Sequence, residues 1–237
     1  MSKLILIRHG QSVWNAENKF TGWVDVDLSK KGIEEANKSG QLIKSLNINV
    51  DFFFTSFLKR SINTLKIILD NTNATKKDFV KAWELNERHY GSFTGMDKDE
   101  IKNKMGSDDF IKYRRSWDIA PPELSEKKFD IKMFGELNQN LPINKIPKTE
   151  SLKDTYNRVV LFYKNEIKKH LENNCNVLIS AHGNSLRALY KYLFNISDNE
   201  IVNLEIPTGN PLLINFDSEL KIQTFRYLNK KTEKKII

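Results

Sequence analysis

Residues 4–12, LILIRHGQS, drive four apolar side chains straight into arginine, histidine and glycine. Residues 177–185, VLISAHGNS, repeat the layout far along the chain: an apolar run, then histidine, glycine, an amide and serine. Near-continuous apolar runs of this length read as strands covered on both faces, as in a mostly parallel sheet. Phe52–Thr55 is a third such run. In open sheets of this kind, ligands bind beyond the carboxyl ends of the strands. Both His-Gly pairs lie at such ends, so His9 and His182 are expected at one edge of the sheet. The glycines permit a tight exit and close ligand approach, and the amides of a following helix N-terminus favour an anion.

Helical patterns lie between the strands. Ser29 is placed to cap a helix through KKGIEEANKSGQLIKSL, with Ile33, Ala36, Ile43 and Leu46 turned inward. A longer helix over 151–171 carries Leu152, Tyr156, Val159, Tyr163 and Ile167 at spacings of three and four. NSLRALYKYL predicts another helix, and LLINFD with LKIQTFRYL an antiparallel hairpin. The alternation predicts an α/β fold, a mostly parallel central sheet with helices on both faces, in one domain over 1–237. Residues 98–149 are mixed in polarity, with prolines at 121, 122, 142 and 147, and read as an irregular cover over a site. The tail 229–237, NKKTEKKII, reads as a short, frayed basic terminus.

Composition narrows the classes. The single cysteine, Cys175, excludes an intramolecular disulfide and any Cys-cluster metal site. No apolar run approaches the ~18 residues of a membrane span, and the N-terminal run is too short for a signal peptide, so a soluble, cytoplasmic protein is expected. The net charge of +8 suits an anionic partner. The lysines are scattered, with no aromatic platform or nucleic-acid motif beside them. A small phosphorylated molecule therefore fits better than nucleic acid, and no membrane partner is expected.

An imidazole beside an arginine can attack phosphorus or bind a metal. No HxH, HExxH or acidic cluster accompanies these histidines, so no metal is expected. Phosphoryl transfer asks instead for several cations to spread charge over the moving oxygens. Arg60 at a predicted helix start, Arg88 in NERHY and Arg114-Arg115 in YRRSW are candidates, arginine being suited to bidentate oxyanion contacts. Glu87 is the candidate proton carrier. His89 reads as a core histidine and His170 as a surface one.

The segments LIRHGQSVWNAENKFTGWVDVDLSKKG, TSFLKRSINTL, WELNERHYGSFTGMDKDE, YRRSWDIAPPEL and LISAHGNSLRALYKYL with EIPTGNP together resemble the 2,3-bisphosphoglycerate-dependent phosphoglycerate mutases of the histidine phosphatase superfamily. RHG marks the superfamily, whereas FTGW, NERHYG and AHGNSLRAL with IPTG mark the mutase branch. The likeness runs from about residue 3 to 228 and is poor near 125–146. It implies the histidine phosphatase fold and an isomerase of glycolysis and gluconeogenesis that interconverts 3- and 2-phosphoglycerate. Such an enzyme is primed by 2,3-bisphosphoglycerate, needs no metal, and is commonly a homodimer or homotetramer. On this resemblance His9 carries the phosphoryl group, Glu87 is the general acid/base and His182 stabilises the transferring oxygens. Arg8, Ser12, Asn15, Arg60, Gly183 and Asn184 surround the phosphoryl group. Thr21, Gly22, Arg88, Tyr90, Lys98, Arg114 and Arg115 hold the phosphate and carboxylate of the substrate.

Three departures from the pattern stand out. Gln11 occupies a position where this branch usually has glutamate, keeping the size and losing the charge. Residues 129–147 lack a longer insertion, and the chain stops soon after Tyr227-Leu228 without a longer tail that helps close the site. The last two leave the ratio of mutase to phosphatase activity open. A histidine-type phosphatase acting on small phosphate esters is therefore the alternative, with a basic nucleic-acid-binding module as a third class.

Overall fold

The computed structural model describes residues 1–236, apart from the side chain of Lys128. In chain order β1 (Lys3–Arg8) leads through a short α1 (Val13–Ala16) to α2 (Lys30–Lys44), then β2 (Phe52–Thr55), α3 (Lys59–Asn71) and an edge strand β3 (Val80–Lys81). Next come α4 (Lys98–Met105), α5 (Ser107–Arg115) and a brief α6 (Glu136–Gln139). The chain returns through α7 (Leu152–Phe162), a wide π-type turn and α8 (Lys168–Glu172) to β4 (Val177–Ala181) and α9 (Gly183–Leu193). It closes with the hairpin β5 (Leu212–Phe216) and β6 (Ile222–Tyr227).

The six strands form one sheet in the order β3-β2-β4-β1-β5-β6. Neighbours from β3 to β1 run parallel, and β5 and β6 are antiparallel. Alternation along each strand feeds two cores. Leu4, Leu6, Val177, Ile179 and Ala181 pack with α7 and α9 on one face. Ile5, Ile7, Phe53 and Leu178 pack with α2 and α3 on the other. The mostly parallel α/β sheet with helices on both faces is therefore as the sequence predicts. Among the described residues, no helix is long and apolar enough to cross a membrane.

Four details differ from the sequence reading. Ile33 faces solvent, 45% exposed, because α2 buries the face Gly32, Ala36, Ser39, Gly40 and Ile43. Small residues win there because the backbones come close: a Cβ on Gly32 would strike the Gln11 carbonyl, and one on Gly10 the Gly32 carbonyl. Second, the first part of 98–149 is a helical pair, α4 and α5, seated through Ile101 and Phe110 on Phe20 and Phe93. Third, the helix over 151–171 runs unbroken as expected but is wound wider, as a π segment, at Tyr163–Ile167, with Leu152, Val159, Tyr163 and Ile167 buried. Fourth, the basic tail up to residue 236 is docked. Asn210 accepts from the Asn229 amide and donates to Thr232 Oγ1, and Ile236 packs into the larger core.

The contact between Gly10 and Gly32 fixes how closely α2 approaches the exit of β1. Alanine in a helix is ordinarily better than glycine by up to about 1 kcal/mol. Here overpacking against backbone reverses that sign, and Gly32→Ala is expected to destabilise by about 1–3 kcal/mol. Urea unfolding reads it as a lower midpoint at unchanged slope; an unchanged or raised midpoint would contradict the packing.

Candidate active site

Register on β1 and β4 builds the site. Arg8 lies opposite Ala181, and the His9 amide donates to the Ala181 carbonyl at 3.0 Å. The chain therefore leaves both strands at one level. The His9 and His182 rings meet edge-on with centroids 4.9 Å apart, and both are buried.

The hydrogen bonds of His9 fix its tautomer. Nδ1 lies 2.6 Å from the Gly10 carbonyl, which can only accept, so Nδ1 carries the proton. Arg60 donates its Nε–H to Nε2 at 3.3 Å, so Nε2 keeps its lone pair. The other Arg60 nitrogens are held by the carbonyls of Val24 and Gly22 at 2.9 and 2.8 Å. Burial first, then the charges of Arg60 and Arg8, hold His9 well below the ordinary imidazole pKa, against an upward pull from the Gly10 bond. Burial, then Arg60 and His9, depress His182 likewise, and its Nε2 shares a 2.7 Å hydrogen bond with Ser56 Oγ. Both rings are thus neutral at pH 7. Burial draws Arg60 down to about 10, which leaves it a cation.

Glu87 stands on a segment without regular structure, held by buried side chains. Arg158 forms a buried bidentate pair with Glu150 at 2.7 and 2.9 Å. Its guanidinium also donates to the carbonyls of Glu84, Asn86 and Glu87. Glu150 accepts from the His89 amide, and Asn86 Oδ1 from the Phe57 amide. Glu87 Oε1 accepts from the amides of Arg88 and Asn184 at 2.8 and 3.0 Å. Among the described residues Oε2 has no hydrogen-bond partner and is left to the site.

Two connected cavities open here, sharing Arg8, Glu87, Tyr90 and Arg114. The inner one, about 100 Å³, is lined by His9, Asn15, Thr21, Gly22, Arg60 and Lys98. The outer one, about 280 Å³, adds Arg115, Gly183 and Asn184. Lys98 donates to the Lys19 carbonyl at 2.8 Å, and burial first, then Arg114 and Arg8, lower it to about 8. Asn184 donates to Tyr90 Oη at 2.9 Å.

Three of the expected residues lie outside this lining: His182, wholly buried with its Nε2 on Ser56, and Ser12 and Arg88. Ser12 is wholly buried and caps α1, exchanging hydrogen bonds with Asn15. Arg88, also wholly buried, crosses the Tyr90 ring at 4.7 Å and donates to the carbonyls of Tyr113 and Arg114. It anchors the end of α5 that carries Arg114 and Arg115. Gln11 accepts from the Ser29 hydroxyl at 3.0 Å, a contact that needs only an acceptor and so tolerates the missing charge.

Sequence reasoning missed Arg187, Lys19, Ser56, Glu205 and Lys234. Arg187 lines the outer cavity and donates to Asn184 Oδ1 at 2.8 Å, Arg115 O at 3.0 Å and Ile201 O at 2.6 Å. Burial first, then Arg115 and Arg88, lower its pKa to about 9. A signal existed, since Arg187 follows Asn184 by three residues and so shares its face of α9. His89 is a core residue against Phe134 and Trp23, and His170 is half-buried on Phe52. Among the described residues no group of three His, Cys, Asp or Glu side chains could hold a metal ion.

Two buried neutral imidazoles at the carboxyl edge of a parallel sheet, with arginines around them, make a cationic pocket suited to an anionic ligand. The model of the histidine phosphatase superfamily (branch 1) matches residues 4–133 and 128–226, and the chain belongs to that superfamily. A curated 2,3-bisphosphoglycerate-dependent phosphoglycerate mutase of Pelagibacter ubique (strain HTCC1062) is 53% identical over 237 residues, covering 100% of this chain and 99% of that one. Solved folds are similar on both sides of the functional divide. A Bacillus anthracis phosphoglycerate mutase has TM-score 0.66 at 20% identity, over 95% of this chain and 91% of its own. A Shigella flexneri alpha-ribazole phosphatase has TM-score 0.68 at 19% identity, over 97% of each chain.

The depressed histidines set a sign for stability against pH. Below the unfolded value of about 6.5, the unfolded chain binds protons that buried His9 and His182 refuse. Stability therefore falls as pH drops below 6.5, by up to about 1.4 kcal/mol per unit for each ring. In a His9→Asn/His182→Asn variant the fall in Tm from pH 6.5 to 5 is expected to be shallower. An equal or steeper fall would contradict the assignment.

Proposed function

We propose that the chain interconverts 3-phosphoglycerate and 2-phosphoglycerate through a phosphohistidine on His9. The observation that carries this reading is the extent of the cationic lining. The inner cavity suffices for one transferring phosphoryl group, yet Arg114 continues into a second cavity with Arg115 and Arg187. A ligand with a second anionic group uses that extension; a simple phosphate ester has little need of it. The fold itself does not choose, being similar to a mutase and a phosphatase alike. The end-to-end similarity to the Pelagibacter ubique mutase favours the mutase.

The residues fit a doubly phosphorylated glycerate as primer, because Arg8 Nε, Thr21 Oγ1 and Arg187 Nε are buried polar atoms with no partner among the described residues. Arg8, Asn15, Thr21, Gly22, Arg60 and Lys98 at the inner cavity would hold one phosphoryl group, and Tyr90, Arg114, Arg115, Gly183 and Asn184 the remainder. Bound 2,3-bisphosphoglycerate would supply the phosphoryl group that loads His9. No metal takes part in this reading.

In the transfer, His9 Nε2 uses its lone pair to form the N–P bond as the P–O bond breaks. Glu87 Oε2 gives a proton to the departing oxygen. Arg8 and Arg60 balance charge on the equatorial oxygens without having to reorganise, and neutral His182 adds a ring N–H as a hydrogen-bond donor. In the return step the hydroxyl of a bound monophosphoglycerate attacks phosphorus, its proton goes to Glu87, and the N–P bond breaks. The bisphosphate then turns and gives its other phosphoryl group back to His9 as Glu87 protonates that oxygen, which leaves the isomer. Charge and protons thus return to their starting state over each pair of steps. Residues 98–149 act as the cover within one domain over 1–237, with α4 and α5 excluding water that would otherwise hydrolyse phospho-His9. A cytoplasmic location belongs to the same reading.

Incubation with 2,3-bisphosphoglycerate is expected to give an acid-labile, alkali-stable adduct on His9, with conversion of 3- to 2-phosphoglycerate persisting in EDTA. His9→Ala is expected to lose both, and Glu87→Gln to lose about 10²–10⁴ in kcat with the fold intact. Conversion unchanged in His9→Ala would overturn the mechanism. Rapid phosphate release with little isomerisation would favour the phosphatase alternative.

A further inference from the structure

Of the two carboxylates lining the cavities, Glu87 enters the mechanism and Glu205 does not. Glu205 stands at the outer mouth between two cations. Oε1 is 2.9 Å from Arg115 Nη2, and Oε2 is 3.4 Å from Lys234 Nζ. Burial works to raise its pKa, but Arg115 and Lys234 outweigh that and hold it below the ordinary carboxyl range. It is thus a charged internal anion on a cation that the proposed substrate also needs.

We propose that Glu205 is a specificity-determining residue that occupies Arg115 as a built-in competitor, so that an incoming phosphate or carboxylate must displace it. Geometry makes the exchange feasible. The Arg115 guanidinium has a second anchor, Nη1 to the Leu204 carbonyl at 3.3 Å, which keeps it at the mouth when Glu205 leaves. Glu205 in turn keeps Lys234 as a partner, so its charge is not stranded. The pair is partly exposed, with side chains 20% and 51% accessible, so the exchange occurs in a screened setting and its cost is small. Glu205 thereby weakens anion binding at the outer cavity and favours release of a product that carries the same charge as the substrate.

This inference rests on the phosphoglycerate reading of the site, and two probes separate the failures. Isothermal titration of the whole chain with 3-phosphoglycerate is compared with Glu205→Gln, Lys234→Gln, Arg115→Lys and the Glu205→Gln/Arg115→Lys pair. Glu205→Gln is expected to tighten binding about two- to fivefold, the size of a partly exposed ion pair. The gain is expected to vanish in the Arg115→Lys background. Lys234→Gln is expected to weaken binding, since Glu205 then has Arg115 alone as a partner. Unchanged or weaker binding in Glu205→Gln overturns the proposal. So does an equal gain with Arg115→Lys, which would mark a general field effect. A loss shared by Glu205→Gln and Lys234→Gln overturns it in favour of a tail clasp. Inorganic phosphate is the second probe: if 3-phosphoglycerate binds no variant, the substrate reading fails, and phosphate still reports on Glu205.

Discussion

The parallel pairing of β1 with β4 is the constraint on which the rest of the site depends. It sets Arg8 beside Ala181 and so delivers two histidines to one edge at contact distance. A slip of one residue would turn each buried side chain to the opposite face and separate the rings. The apolar faces of both strands, each packed under helices, forbid that slip. Catalytic geometry is thus a by-product of core packing: the residues that fix the register never touch a ligand.

Packing two imidazoles among arginines has an electrostatic consequence. Burial and the nearby cations act in the same direction, and both rings give up their protons. A neutral His9 held by the Gly10 carbonyl and Arg60 presents a lone pair without a general base to remove a proton first. The arginines stay charged, fixed to backbone carbonyls instead of carboxylates, which leaves the positive potential available to an anion. Arg60 on Gly22 and Val24, Arg8 on Ile206 and Arg187 on Ile201 share this arrangement. Among the arginines lining the cavities, Arg115 is the exception, paired with Glu205.

The sheet, its faces and the histidine pair were legible because apolar runs and His-Gly exits report backbone tasks directly. Ile33 was misread because periodicity counts hydrophobic volume, whereas α2 is seated by the closeness that Gly32 and Gly40 permit. Helices α4 and α5 escaped notice because each buries one main anchor, Ile101 or Phe110, beneath an otherwise charged surface. The resemblance placed Ser12 and Arg88 with the ligand-contacting set; in the fold Ser12 caps α1, and Arg88 gives Nη2 to two carbonyls while its Nε and Nη1 have no partner among the described residues. Arg187, Glu205 and Lys234 reach the outer cavity from segments with no shared motif, and only tertiary structure brings them together. Lys234 looked like frayed tail because Ile236, which docks into the core, lies at the end of a lysine-rich stretch.

The central claim is that His9 waits as a neutral imidazole with its proton on Nδ1 and its lone pair on Nε2. The ¹⁵N chemical shifts of labelled histidine in the whole chain, assigned with His9→Gln and followed from pH 7 to 5, test it directly. The account predicts a protonated-type shift at Nδ1 and a pyridine-type shift at Nε2, both persisting below pH 6.5. An Nε2–H tautomer, or an imidazolium already formed at pH 6.5, would contradict it.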